Sequence, residues 1–293
     1  MKLAIPLFVA LAYGPAQGLA QSSILGTELG SFSVLGAASV TNTGATTLGG
    51  NVGVSPGTAI TGAGTVTLTG VTHQTDAFAG LAQGQLTTAR TNLTSLGSGL
   101  TLGANLSGLT LSPGIYTVPA GVSNLTGTLT LNGQGNANAA WVFQMPSTLI
   151  TSPGSVVNVT NTGAGAGLFW NVGSSATLGT TTSFQGNVLA LASISLNTGA
   201  TIGCGRALAS TGSVTMQGNT IGAGCGAVAG GQSTGLGGGF TVPAGGGRPI
   251  LIGGGTGGGG PTGNVPEPET YAITLAGMAL LALLRRRKKA AAA

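Results

Sequence analysis

Apolar and polar positions alternate along this chain in short bursts. The runs "FSVLGAASVT", "GTVTLTGV", "GTLTLNG", "AAWVFQM", "SVVNVTN", "GLFWNV", "NVLALASISL" and "GSVTMQG" are rich in Val, Leu, Thr or aromatic residues. Each is bounded by Gly, Pro or Asn, so each predicts a strand. Their recurrence predicts stacked units. Gly186–Gly203 lies over Gly205–Gly222, with Leu168–Gly186 and Trp141–Val159 above, and Phe32–Gly50 fits the same template. Each unit reads as an apolar strand, a Ser/Thr-alternating strand and a corner of the type Thr-Gly-Ala-Thr. The string "NTGAT" supplies that corner twice, at Asn42–Thr46 and Asn197–Thr201. A repeat of about 18 to 28 residues suits one turn of a three-faced β-solenoid, with equivalent residues about 4.8 Å apart.

One segment follows a different period. Between Thr72 and Gly97 the apolar residues Phe78, Ala82, Leu86, Ala89, Leu93 and Leu96 recur at steps of three and four. This spacing predicts one long helix over about 73–96, with an apolar stripe that covers a flank of the solenoid. Thr72 or Thr75 is expected to cap its start and Gly97 to end it, with Asp76 near the positive end of the dipole.

Both ends of the chain read as address labels. Met1-Lys2, an apolar run Leu3–Leu11 and the small residues before Ala20 predict a signal peptide over 1–20, leaving a folded body over 21–222. Residues 223–264 are mostly Gly with Ser, Thr and Pro, which predicts a linker. The tail over 265–289 joins Pro266-Glu267-Pro268, an apolar stretch over 271–284 and five basic residues, Arg285–Lys289. It resembles the PEP-CTERM sorting signal of Gram-negative bacteria. The resemblance implies an exosortase-type membrane protease as partner and transient inner-membrane anchoring by a transmembrane segment over 271–284, with the basic cluster cytoplasmic. A plain single-span anchor is the alternative.

The formal charge of +5 belongs to that tail, because the other four basic residues are matched by four acids. Between Gln21 and Asn264 only Arg90, Arg206, Arg248, Glu28 and Asp76 carry charge. So few cations argue against nucleic acid as a partner. The two cysteines, Cys204 and Cys225, suggest a disulfide in an exported protein, worth roughly 3 kcal/mol on a loop-entropy argument. Catalytic equipment is scarce. His73 and Asp76 stand three apart, short of the three or four ligands a metal site needs. Glu28 and Asp76 are isolated acids, and a Ser nucleophile has only one His to serve as base. The reading is of no enzyme, no cofactor and no metal.

The segments "LGSFSVLGAASVTNTG", "GNVGVSPGTAITG", "LTLSPGIYTV", "GTLTLNGQGNANAAWVFQM" and "WNVGSSATLGTTTSFQGNVLALASISLNTGATIGCGRALA" resemble, in order, the ice-binding protein family built on a discontinuous right-handed β-helix. The resemblance spans roughly Leu25 to Ile221. It implies a mainly β, three-faced right-handed solenoid with one long α-helix alongside, coils out of sequence order, and N-terminal strands that close a gap. It also implies an ice crystal surface as partner and a monomeric body. Thr-Ala/Gly-x-Thr/Asn steps of the family's flat face match Thr43–Thr46, Thr58–Thr61 and Thr198–Thr201, with Thr180, Ser183 and Thr220 aligned to the same ladder. The expected ice-binding residues are therefore Thr43, Thr46, Thr58, Thr61, Thr180, Ser183, Thr198, Thr201 and Thr220. Gln217 and Ser152 depart from the pattern. A rival face pairs Ser39 with Thr41, Ser175 with Thr177, Ser193 with Ser195 and Ser213 with Thr215.

Physical chemistry points the same way. Ice presents an extended uncharged lattice, and Thr offers it both a methyl that confines water and a hydroxyl that bonds it. Many weak contacts add up only on a stiff face. Ice adsorption that restrains growth or recrystallisation is the leading expectation, with Thr201→Tyr lowering activity. A structural or adhesive solenoid of the cell surface or biofilm matrix is the alternative, and a secreted or surface location serves both.

Overall fold

Alternation of buried and outward residues makes the short runs into strands, and parallel pairing stacks them. The computed structural model describes residues 23–121, 123–222, 235–243 and 248–252, all within one compact unit. The strands form a three-faced parallel β-helix. The first face stacks Leu100–Thr101, Gly114–Thr117, Ala140–Met145, Gly167–Val172, the second halves of Ser183–Ala190 and Thr201–Ala209, then Phe32–Gly36, Asn51–Val54 and Thr72–Gln74. The second, the threonine face, stacks Thr110–Leu111, Thr128–Asn132, Val156–Thr160, the first residues of Ser183–Ala190 and Thr201–Ala209, Thr220–Ile221, Thr46–Leu48 and Val66–Leu68. The third is six-stranded: Leu149–Ile150, Ala176–Leu178, Ile194–Leu196, Val214–Gln217, Ser39–Thr43 and Ala59–Thr61.

The order is discontinuous in sequence. Phe32–Gly36 pairs with Thr201–Ala209, so the first coil follows the last long one. The N-terminal coils do not close a gap within the stack; they extend it and form one end, Thr72–Gln74. The helix Ala77–Ser95 then returns the chain to the other end, where Leu100–Thr101 begins the remaining coils. At 1.5 Å per residue it spans about 28 Å along the flank.

The helix starts later than its periodicity suggests. Asp76 is the N-cap, its side chain accepting the Ala79 N–H at 2.8 Å, while Thr75 sits at φ 56°, outside helical geometry. Asp76 also bonds His73 at 2.7 Å, and His73 stacks on Phe78. These contacts, the Ala79 N–H foremost, hold the Asp76 carboxyl below the usual carboxylate range. The predicted stripe is real: Ala82, Leu86, Ala89 and Leu93 are fully buried, in one cluster with Phe32, Leu35, Val142, Phe169, Leu189 and Leu208 of the first face.

Inside the coil, identical registers stack like on like. Tyr116, Phe143 and Trp170 are successive partners, and the Phe143 and Trp170 rings stack nearly parallel with centroids 4.1 Å apart. The two long strands bend from one face to the next where Gly186 pairs with Gly205. Gly205 has φ 145°, and a Cβ there would meet the Gly186 carbonyl at 1.9 Å, so only glycine fits this corner.

Candidate functional site

The six-stranded face presents its residues in straight rows. Ile150, Thr177, Ser195, Thr215, Thr41 and Thr61 are successive partners across all six strands. The residues between them, Leu149, Ala176, Ile194, Val214 and Val40, are buried in the core, so the row projects outward. Six strands at about 4.8 Å span about 24 Å. Two residues earlier runs a serine row. The Ser175 hydroxyl accepts the Ser193 N–H, that of Ser193 accepts the Ser213 N–H, and Ser213 and Ser39 hydroxyls bond at 2.8 Å. Those serines stitch rung to rung. The hydroxyls of Thr177, Ser195, Thr215, Thr41 and Thr61 make no hydrogen bond among the described residues, and they face solvent.

The threonine face carries one row. Thr128, Val156, Ser183, Thr201, Thr220, Thr47 and Thr67 are successive partners over seven rungs. Its next outward row includes Gln185, whose Oε1 accepts the Cys204 N–H at 2.8 Å, so that line is uneven. Neither row lies under the helix, which packs on the first face.

The nine residues proposed from the motif therefore do not share one plane. Ser183, Thr201 and Thr220 stand in the threonine row, whereas Thr61 belongs to the six-stranded face and Thr58 to the turn before its last strand. Thr43, at the end of its strand, and Thr180 and Thr198, in turns, are exposed at the corner between the two faces. Thr46 is 2% exposed and lies on no surface. Its hydroxyl donates to Asn42 Oδ1 at 2.7 Å and accepts the Asn219 N–H at 3.1 Å. The cause is a slip of one residue between the two "NTGAT" copies. Thr201 pairs with Thr220, and Thr220 pairs with Thr47 rather than Thr46. A single-residue slip turns a side chain from one face of a strand to the other. The rival pairs, by contrast, all fall on neighbouring strands of the six-stranded face.

This inward threonine gives a direct check. Thr46→Val is expected to leave Asn42 Oδ1 and the Asn219 N–H short of a partner and to cost about 1–3 kcal/mol. Thr47→Val, one residue on and exposed, is expected to stay within about 0.5 kcal/mol of the parent. Thermal melts of the two variants separate these outcomes.

Charge is segregated from both rows. Glu28 bonds Gln85 of the helix, Asp76 caps the helix, and Arg90 reaches from it to the Val172 and Leu189 carbonyls. Arg248 bonds the Leu96 carbonyl, and Arg206 bonds the Gly30 carbonyl. Each charged side chain among the described residues is thus spent on the helix flank or the N-terminal segment. Only Thr, Ser, Ile, Val, Ala and amide side chains remain on the two outward sheets. Among the described residues no group of acids, histidines and cysteines could hold a metal ion. Cys204 is fully buried and is not a free thiol, while its expected partner Cys225 lies outside the described residues. So do the signal peptide, most of the linker, and the apolar stretch 271–284. Among the described residues no helix is long and apolar enough to cross a membrane.

Comparison with known proteins places this geometry. Residues 34–222 match the family described as Ice-binding-like, and residues 264–288 match the PEP-CTERM protein-sorting motif. An ice-binding protein of Nostoc sp. (strain HG1) is 45% identical over 207 residues, which cover 70% of this chain and 76% of the relative. An ice-binding protein crystal structure from an Antarctic biological consortium superposes with a TM-score of 0.64 at 40% identity, covering 75% of this chain and 95% of that one. The ice-binding protein of the Antarctic ascomycete Antarctomyces psychrotrophicus superposes with a TM-score of 0.63 at 37% identity, covering 69% and 97%. From the stacked coils, the flanking helix and this agreement over most of its body, the chain belongs to the Ice-binding-like family.

Proposed function

We propose that this protein is exported, adsorbs to ice through the six-stranded face, and so restrains ice growth or recrystallisation. The observation that carries the reading is the row from Thr177 to Thr61, with its hydroxyls uncommitted and every described charge elsewhere. Hydroxyls and methyls at a fixed interval order water over a plane, and the serine bonds alongside keep that plane stiff. The sorting motif supports a secreted or extracellular location. A Gram-negative host, transient anchoring by residues 271–284 and an exosortase-type partner belong to the same proposal. The protein acts without catalysis and as a monomer, and the scarcity of cations argues against nucleic acid.

Nanolitre osmometry and recrystallisation assays on the purified protein test this. Thermal hysteresis, crystal shaping or arrested recrystallisation at micromolar concentration is the expected result. None of the three would put the adhesive solenoid of the cell surface or matrix in front. The threonine face is the second reading of where ice binds, favoured by its unbroken register over seven rungs. We rank it lower because it offers one even row, interrupted by Val156.

A further inference from the structure

We infer that the crevice between the C-terminal half of the helix and the first face is a binding site for a small hydroxylated carboxylate, of the class of a uronic acid unit. The crevice encloses about 410 Å³ and is lined by Arg90, Thr94, Gln144, Met145, Pro146 and Asn171 among others. Its distinguishing feature is Asn171, which is only 6% exposed and whose Oδ1 has no hydrogen-bond partner among the described residues.

The amide cannot be turned round to remove that deficit. Gln144 Nε2 donates to the Leu93 carbonyl, which points Gln144 Oε1 at Asn171. The Thr94 hydroxyl donates to the Arg90 carbonyl and so offers Asn171 only a lone pair. Both neighbours therefore demand the amide nitrogen, which reaches them at 2.9 and 3.0 Å. The oxygen is left as an acceptor with a fixed direction, and a buried acceptor without a donor is costly.

Arg90 supplies the opposite need. A guanidinium has five N–H donors, and Nη1 spends its two on the Val172 and Leu189 carbonyls. Among the described residues Nε and Nη2 have no hydrogen-bond partner. Burial lowers the guanidinium pKa, which reflects lost hydration that an anion would replace. Among the described residues no acid lines the crevice. A ligand that fits must give a hydrogen bond to Asn171 Oδ1 and accept from Arg90. A hydroxyl meets the first demand and a carboxylate the second, in the planar geometry arginine prefers. Pro146, exposed at the rim, offers an apolar surface against which the C–H face of a sugar ring can lie. One water would satisfy Asn171, but it occupies only about 30 Å³ of the space.

Sodium glucuronate is the probe and glucose the uncharged control, titrated into the full-length protein and followed by amide and guanidinium NMR. The expected result is a saturable shift of the Asn171 side-chain amide and the Arg90 Nε–H, with glucose at least about tenfold weaker. Pro146→Trp, at the exposed mouth, is expected to abolish the shifts while the melting temperature stays unchanged. No response to glucuronate at high millimolar concentration, an equal response to glucose, or full binding by the tryptophan variant would each overturn the assignment. The crevice shares no residue with either outward row, so its ligand shifts are read independently of the ice assays.

Discussion

Thr215→Tyr is expected to remove most of the ice-growth inhibition without lowering the melting temperature. Thr215 is in the interior of the row, paired with Ser195 on one side and Thr41 on the other. Its backbone belongs to the sheet and its side chain points away from the core, between buried Val214 and Met216. Tyrosine is well accommodated at an outward strand position, so stability should move by no more than about 0.5 kcal/mol. Adsorption responds differently. A flat lattice must approach every residue of the row at once, and a phenol ring rising from the middle holds it off its neighbours as well. A loss confined to one contact would be small; a stand-off across several rungs should weaken adsorption by at least about tenfold, or 1.4 kcal/mol. Thr201→Tyr, on the threonine face, is the informative partner. The motif alone points to Thr201, but on the geometry of the six rungs this variant keeps most of its activity. Osmometry on both proteins decides. Full activity in Thr215→Tyr together with loss in Thr201→Tyr would move the site to the threonine face.

The reason the motif points there shows what is local in a sequence and what is not. Strand alternation and the helical stripe are short-range periodicities, so the stacked coils and the buried residues Ala82, Leu86, Ala89 and Leu93 are legible without coordinates. The cap is less so: Thr75, Asp76 and Thr72 are all plausible by residue type, and only the backbone at φ 56° excludes Thr75. The register around each corner is not legible. "NTGAT" looks like the same corner twice, yet Asn42 pairs with Met216 and through it aligns with Leu196 rather than Asn197. That one-residue offset is carried unchanged round the corner, so Thr46 turns inward and Thr47, level with Thr201, turns outward. The rival pairs escape this difficulty because each lies within a strand or at the step that enters it, where the two-residue period is fixed. Nor does any local signal reveal that the first coil abuts the last, or that five charges scattered over the chain gather on the helix flank and the N-terminal segment. Those depend on which coil lies against which. The Ser-x-Thr or Ser-x-Ser spacing of Ser39/Thr41, Ser175/Thr177, Ser193/Ser195 and Ser213/Thr215 is the signal that marks the six-stranded face as the rival from the sequence alone.

Arg206→Met should be the most destabilising of the single changes considered, because that side chain ties the discontinuity together. Arg206 is 9% exposed and sits in the long strand that the first coil joins. Its Nε donates to the Gly30 carbonyl at 3.0 Å, just before that first coil, and Nη1 donates to Asn187 Oδ1 at 2.8 Å and the Gly235 carbonyl at 2.9 Å. One planar group thus joins the N-terminal segment, a neighbouring rung and the segment after the last coil. Burial pushes its pKa down to about 10, so it remains charged at neutral pH and needs those carbonyls as its solvent. Methionine keeps the length of the stem and supplies no donor. Asn187 Oδ1 and the Gly30 and Gly235 carbonyls would then lose charge-assisted bonds in a region closed to water, at about 3–5 kcal/mol in total. For a body of this size each kcal/mol corresponds to about 2–4 °C, so a fall in melting temperature of about 10 °C is expected. Arg206→Lys should recover only part of it, since an ammonium cannot span three acceptors arranged for a planar fork. The row proposed to face ice is on another sheet, so the methionine variant should keep its activity per folded molecule at low temperature and lose it early on warming. A melting temperature within two degrees or so of the parent would mean that the first and last coils hold together through backbone pairing alone.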